Sequence, residues 1–188
     1  MIELRKTGLI ILDGEVTNFK AQEFLPPEIY NHPTRNPLWF LDQDTIAMVQ
    51  FCRNWFAVPV YLNNWARGGD RDLAGYRTPE TGIIDHLIEN GLSKKHANEI
   101  KEHMLSIGNN SEEELTLGSW LSQHKFSKAA DPIFKGISAN DVRKEIQDFK
   151  EAFISAGITT LESGRYAPTW VHMDRRPTGL NSLLIVGT

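Results

Sequence analysis

The sequence predicts an α+β fold. Three observations predict it. Helix-period apolar stripes and short strand-like runs both occur, and they are mixed without a regular βαβ rhythm. A chain of 188 residues is long enough for one domain with a substantial core, here residues 1–188. Its 40% hydrophobic and 23% charged residues are ordinary for a soluble globular protein.

Residues 1–18 (MIELRKTGLIILDGEVTN) hold a short apolar stretch without a proper h-region or a small-residue cleavage site, so they read as a strand and not as a signal peptide. Residues 21–40 carry four prolines and read as an extended surface segment. From Asp42 to Phe56 the apolar residues Ile46, Val49, Cys52 and Phe56 recur at helical spacing behind an acidic start, and Pro59 ends that helix. Val58 to Leu62 reads as a short buried strand. Two helices are expected next. One covers 83–90, with Thr81 as N-cap and Gly91 as stop; the other runs from Ser93 to near Gly108, ahead of a polar loop at 109–115. A further helix spans Asp141 to Ala156. Val142, Ile146, Phe149 and Phe153 form its stripe, Ser138 and Asp141 have capping-box spacing, and Gly157 ends it. Residues 158–161, 169–174 and 183–186 are strand-like. There is no internal repeat and no low-complexity tract.

Composition excludes several classes. A formal net charge of -4 argues against general nucleic-acid binding. The single cysteine, Cys52, allows neither an intramolecular disulfide nor a thiolate zinc site, and among apolar neighbours it reads as a buried, inert thiol. No apolar run approaches the ~20 residues of a membrane span. The expectation is cytoplasmic synthesis, with separate delivery to any extracellular target.

Two segments carry candidate chemistry: SQHKFSKAAD at 122–131 and TWVHMD at 169–174. Histidine nitrogen and carboxylate oxygen are good zinc ligands, and a catalytic zinc keeps three protein ligands and an open position. His124, Asp131 and His172 supply such a set. Two neutral imidazoles and one carboxylate leave a dication net positive, which suits a developing oxyanion. Spacing by itself does not separate this reading from ordinary polar residues.

The motifs add a resemblance. SQHKFSKAAD is similar to the S-x-H-x-x-G-x-A-x-D motif of the D-alanyl-D-alanine carboxypeptidase and endolysin peptidase superfamily, which shares its fold with the hedgehog signalling domain. WVHMD resembles the W-V-H-x-D segment that brings the last ligand, and AGYRTPE at 74–80 resembles S-G-Y-R-x-P-E. The three occur in family order, over roughly residues 40 to 176. The resemblance implies a small, mainly antiparallel sheet packed against helices, with zinc held by His124, Asp131 and His172. It implies that Arg77 reaches the scissile carbonyl or its oxyanion; the alternative is a surface ion pair. Ser122 would support the loop of the first histidine or hydrogen-bond the substrate; the alternative is a simple turn or cap. The implied substrate is a peptidoglycan stem peptide or a D-Ala-D-Ala-like peptide. Residues 83–118 exceed what compact members need and read as a helical insertion, either a cleft wall or a peripheral hairpin.

The departures bear on catalysis. Ser127 stands where the motif has glycine, which suits a backbone that is not left-handed there. Ala74 replaces a serine. Thr169 occupies the position, three before the last histidine, where many members carry an acidic base, and threonine cannot serve as that base at neutral pH. Glu162 resembles the glutamate that hedgehog-type members place on the strand leading to the last histidine. Asp174 shares a strand face with His172, as base or as an orienting partner. Glu162 is the preferred base.

Rival features read as structural. His96, Glu99 and His103 share a predicted helix face, but their charged neighbours mark a solvated surface. His32 and His86 have no sequence partners. Trp120 and Trp170 flank the metal motifs, as groove-lining rings or as core. The function expected is zinc-dependent hydrolysis of a peptidoglycan peptide bond, by an endolysin-type endopeptidase or a D,D-carboxypeptidase. The missing signal peptide and cell-wall repeat fit a phage lytic or virion-associated protein. The alternative is a non-catalytic zinc-containing binding or structural module on the same fold.

Overall fold

The first twenty residues form a three-stranded antiparallel meander, β1 (Ile2–Leu4), β2 (Leu9–Leu12) and β3 (Glu15–Lys20), where the sequence suggested one strand. The reason is turn chemistry. Asp13 and Gly14 both take positive φ, 51° and 86°, between the paired residues Leu12 and Glu15, which is the Asp-Gly hairpin signature. The computed structural model describes residues 1–34, 36–63, 93, 95, 96, 99, 123–165 and 167–187.

The proline-rich segment is not extended. It contains a 3-10 turn at Ala21–Glu23, a one-turn helix α1 (Pro27–Tyr30) and a second 3-10 turn at Pro37–Phe40. Pro27 and Pro37 sit in the first turns, where a missing N–H costs nothing. Phe24, Leu25 and Ile29 are buried. Helix α2 (Gln43–Phe56) follows, capped by Asp42, whose Oδ1 accepts from the Thr45 N–H at 2.7 Å. It stops at Ala57, which is left-handed, two residues before Pro59. Ile46, Val49 and Cys52 are fully buried, as their spacing predicts. Strand β4 (Val60–Leu62) comes next. The helices expected at 83–90 and 93–108, the loop at 109–115 and the insertion at 83–118 lie outside the described residues, except that Ser93, Lys95, His96 and Glu99 are exposed.

Strands β5 (Ala129–Ala130) and β6 (Pro132–Phe134) are separated by one residue, Asp131, yet belong to different sheets. The helix expected over 141–156 is two helices, α3 (Ala139–Asp148) and α4 (Lys150–Ser155), joined at Phe149 with φ -113° and ψ 33°. Ser138 caps α3 by accepting from the Asp141 N–H at 3.1 Å. Gly157, at φ 101°, closes α4, as expected. The bend turns Phe149 out to the surface against Trp55, with ring centroids 5.5 Å apart. Phe153 alone completes the buried end of the stripe, against Phe51, Trp55 and Phe56.

Strands β7 (Thr160–Glu162), β8 (Met173–Asp174) and β9 (Leu184–Val186) join β5 in a four-stranded sheet of order β5-β8-β7-β9, in which only the β7–β9 pair is parallel. β4 and β6 form a separate antiparallel pair. These small, mainly antiparallel sheets with their helices make the architecture α+β. The strand expected over 169–174 is confined to its last two residues, and the Trp170 carbonyl just upstream is taken by Arg143 and not by a neighbouring strand. Leu161 and Met173 pair on the core face, and Met173 Sδ lies 3.9 Å from Cys52 Sγ of α2. Thr160, Glu162 and Asp174 alternate to the opposite face. Among the described residues no helix is long and apolar enough to cross a membrane.

The Phe153 side chain is fully buried among three aromatic rings. Phe153→Ala is expected to lower unfolding stability by about 3–5 kcal/mol in urea titrations, while Phe149→Ala loses far less.

Candidate metal centre

His124, Asp131 and His172 each offer a ligand atom, and these atoms lie within 4.8 Å of one another. Three local structures bring them together. His124 sits in a 3-10 turn (Gln123–Phe126) that folds back on β5 through the Lys128 N–H to Gln123 O bond of 2.9 Å. Asp131 occupies the step between β5 and β6, and its carbonyl accepts from the Asn63 N–H at 3.0 Å. His172 immediately precedes β8, and its carbonyl accepts from the Glu162 N–H at 3.1 Å.

Two of the three distances match a shared cation, and the third is a direct hydrogen bond that a metal would open. His124 Nε2 is 3.2 Å from His172 Nδ1 and 3.4 Å from Asp131 Oδ2, and His172 Nδ1 is 2.7 Å from Asp131 Oδ1. A tetrahedral zinc ion with bonds of about 2.0–2.1 Å separates its ligand atoms by about 3.3 Å. Asp131 Oδ2 is fully buried and its 3.4 Å contact with His124 Nε2 is longer than an ordinary hydrogen bond, so a metal bond would satisfy it better. Two imidazole nitrogens facing each other at 3.2 Å also need a proton or a cation between them. The group can therefore hold a metal ion.

The electrostatics agree. Burial pushes the Asp131 carboxyl up, but the charge and hydrogen bond of His124, then those of His172, outweigh it and hold the group well below 3.8. Burial likewise works against a charged His172. The hydrogen bond and charge of Asp131, the bond to Asp174 and the charge of Glu162 overcome it and raise the ring from 6.5 to about 9.

Asp174 lies beside His172, with Oδ2 3.5 Å from Nε2, on the side away from Nδ1, which faces Asp131. It is fully buried, and its two oxygens each accept from Arg176 Nε at 2.9 Å. Burial would raise its pKa, but His172 and Arg176 drive it far down. An acceptor engaged in this way orients a ring better than it takes up a proton. Glu162 ends β7, half-buried, on the face it shares with Thr160 and Asp174. Trp170 is buried, as a core ring would be, and its carbonyl accepts from Arg143 at 2.7 Å. Arg77 and Ser122 lie outside the described residues.

Ser127 departs from the expectation of ordinary backbone. Its φ is +56°, the left-handed region where glycine is easiest. The hydroxyl donates to Phe40 O at 2.6 Å and so ties the His124 turn to the N-terminal segment.

Two arginines escaped the sequence reading. Arg143 is buried on α3; its Nε donates to Glu162 O at 2.8 Å and its Nη2 to the carbonyls of Ala167 and Trp170. It thus holds both ends of the connection from β7 towards His172. Its Nη1 reaches Asn140 Oδ1 at 3.2 Å, and an added Cβ at Gly164 would lie 2.5 Å from that same oxygen. The available signal was a charge next to Val142 in the apolar stripe. Arg176 follows the H-x-D segment by two residues and carries no such signal.

Comparison with known protein families, curated proteins and solved structures finds no match to this chain. Of the rival group His96, Glu99 and His103, His96 and Glu99 are exposed and Glu99 pairs with Lys95 at 3.9 Å, while His103 lies outside the described residues.

The raised His172 value has a definite sign. In the metal-free protein it stabilises the fold fully below the ordinary 6.5, and that contribution is lost as pH climbs through about 9. A metal that takes Nδ1 must displace the proton. Metal affinity is therefore expected to rise with pH up to about 9, with proton release on binding, measured by calorimetry in buffers of different ionisation enthalpy.

Proposed function

We propose that the chain is a zinc metallopeptidase of the D-alanyl-D-alanine carboxypeptidase and endolysin type, with a hedgehog-like arrangement of the site. Its substrate on this reading is a peptidoglycan stem peptide or a D-Ala-D-Ala-like peptide. The observation that carries the proposal is the convergence of His124, Asp131 and His172, the three residues that the motifs single out. Zinc, when bound, supplies Lewis acidity towards a peptide carbonyl and makes a water more acidic.

The remaining roles belong to the protein. Glu162 is the general base: it shares a sheet face with Asp174, and its charge is felt by His172. Asp174 orients His172, since its oxygens are engaged by Arg176. Arg77 stabilises the oxyanion, Ser122 contacts the peptide, and Trp170 backs the site as packing.

A second reading is a zinc-containing binding or virion structural module on the same fold. The presence of Thr169 at the usual base position favours it.

The two readings part in one assay. Wild type with zinc is expected to cleave stem peptides in purified walls, and Glu162→Gln to lose about 10²–10⁴-fold in kcat while keeping the metal. Stoichiometric zinc with no cleavage of any wall chemotype supports the binding module. Full activity in Glu162→Gln removes Glu162 as base.

A further inference from the structure

Asp174 is gripped from one side and faces the metal group on the other. Arg176 Nε lies 2.9 Å from each carboxylate oxygen, its Nη2 also reaches Oδ2, and its backbone N–H donates to Oδ1 at 3.0 Å. Arg176 is itself anchored: its carbonyl accepts from Thr159 Oγ1 at 2.7 Å, and the same hydroxyl reaches Asp174 O at 3.2 Å. Oδ2 of Asp174 then stands 3.5 Å from His172 Nε2.

His172 is contested between two acceptors. Asp131 Oδ1, 2.7 Å away, favours a proton on Nδ1, and that proton would block the ligand lone pair. Asp174 favours the proton on Nε2 and leaves Nδ1 free for a metal. The outcome depends on how firmly the Asp174 carboxylate is held.

We propose that Arg176 is a positioning residue for the metal centre: it clamps Asp174 so that His172 keeps its proton on Nε2 and presents Nδ1 to the metal. The inference rests on the metal-binding reading of His124, Asp131 and His172. A fork-shaped guanidinium suits the task because it fixes both oxygens at once, which an ammonium cannot do.

The test uses the full chain with zinc. Zinc affinity is measured by chelator competition for wild type, Arg176→Met, Arg176→Lys, Asp174→Asn and the Met/Asn double variant. The His172 Nε2–H proton is followed by NMR in the loaded protein. Arg176→Met is expected to weaken zinc binding about 10–100-fold and to speed exchange of that proton with solvent. Arg176→Lys should show a smaller loss in the same direction, and it carries the test if the methionine variant does not fold. The double variant should bind no worse than Asp174→Asn alone, because both changes break one relay. Unchanged affinity and unchanged proton exchange in both Arg176 variants, or fully additive losses, would overturn the proposal. His172→Ala serves as the separate control. If it leaves zinc affinity intact, the metal-binding reading itself fails; if it abolishes binding while the Arg176 variants do nothing, only the clamp fails.

Discussion

Asp131 is the constraint on which the rest of the site depends. It is the one residue between β5 and β6, so the chain changes sheets there. Its carbonyl is fixed by Asn63, next to β4, and its carboxylate faces both histidines. Two imidazoles hold it ionised, and one buried oxygen is left over. The backbone that places Asp131 also pairs with β8, so the same strand sets the distance to His172.

Around that point the protein divides its labour by sheet face. Met173 and Leu161 go into the core against α2, while His172, Asp174 and Glu162 go to the chemical side. Strand alternation therefore converts core packing into site geometry. Arg143 adds a second fixation from behind. Its buried guanidinium collects carbonyls that would otherwise lack partners in the irregular run between β7 and His172.

Much of this was legible in the sequence, and the failures have local causes. The apolar stripe of Ile46, Val49 and Cys52 located α2 because a buried helix face repeats with a fixed period. The cluster of His124, Asp131 and His172 was legible as a candidate because histidine and aspartate are the residue types that can share a metal ion. The meander differs from the single expected strand because Asp13-Gly14 makes a tight hairpin turn within the short apolar run. Four prolines in 21–40 suggest an extended surface segment, yet Pro27 and Pro37 start helical turns, where a missing N–H costs nothing. The split at Phe149 was hidden because its spacing satisfied the stripe while the ring instead packs on Trp55 at the surface. The residue type of Ser127 gives no sign of its left-handed backbone, which the turn around His124 imposes. Hydrogen bonds that join distant segments, such as those of Arg143, leave no periodic trace at all.

The bond from Ser127 to Phe40 bears on how the molecule can be dissected. Arg175 makes similar ties, to Asp42 at 2.8 Å and Asp44 at 2.6 Å. All three anchors, Phe40, Asp42 and Asp44, lie upstream of the segments that hold His124, Asp131 and His172. Upstream of them, Ile10, Phe19 and Phe24 fill the same core as Ile46 and Met173. The motif-bearing stretch and the folding unit are thus different objects. A fragment starting at residue 40 would keep His124, Asp131, His172 and every anchor, yet it would expose the apolar surface that the meander covers.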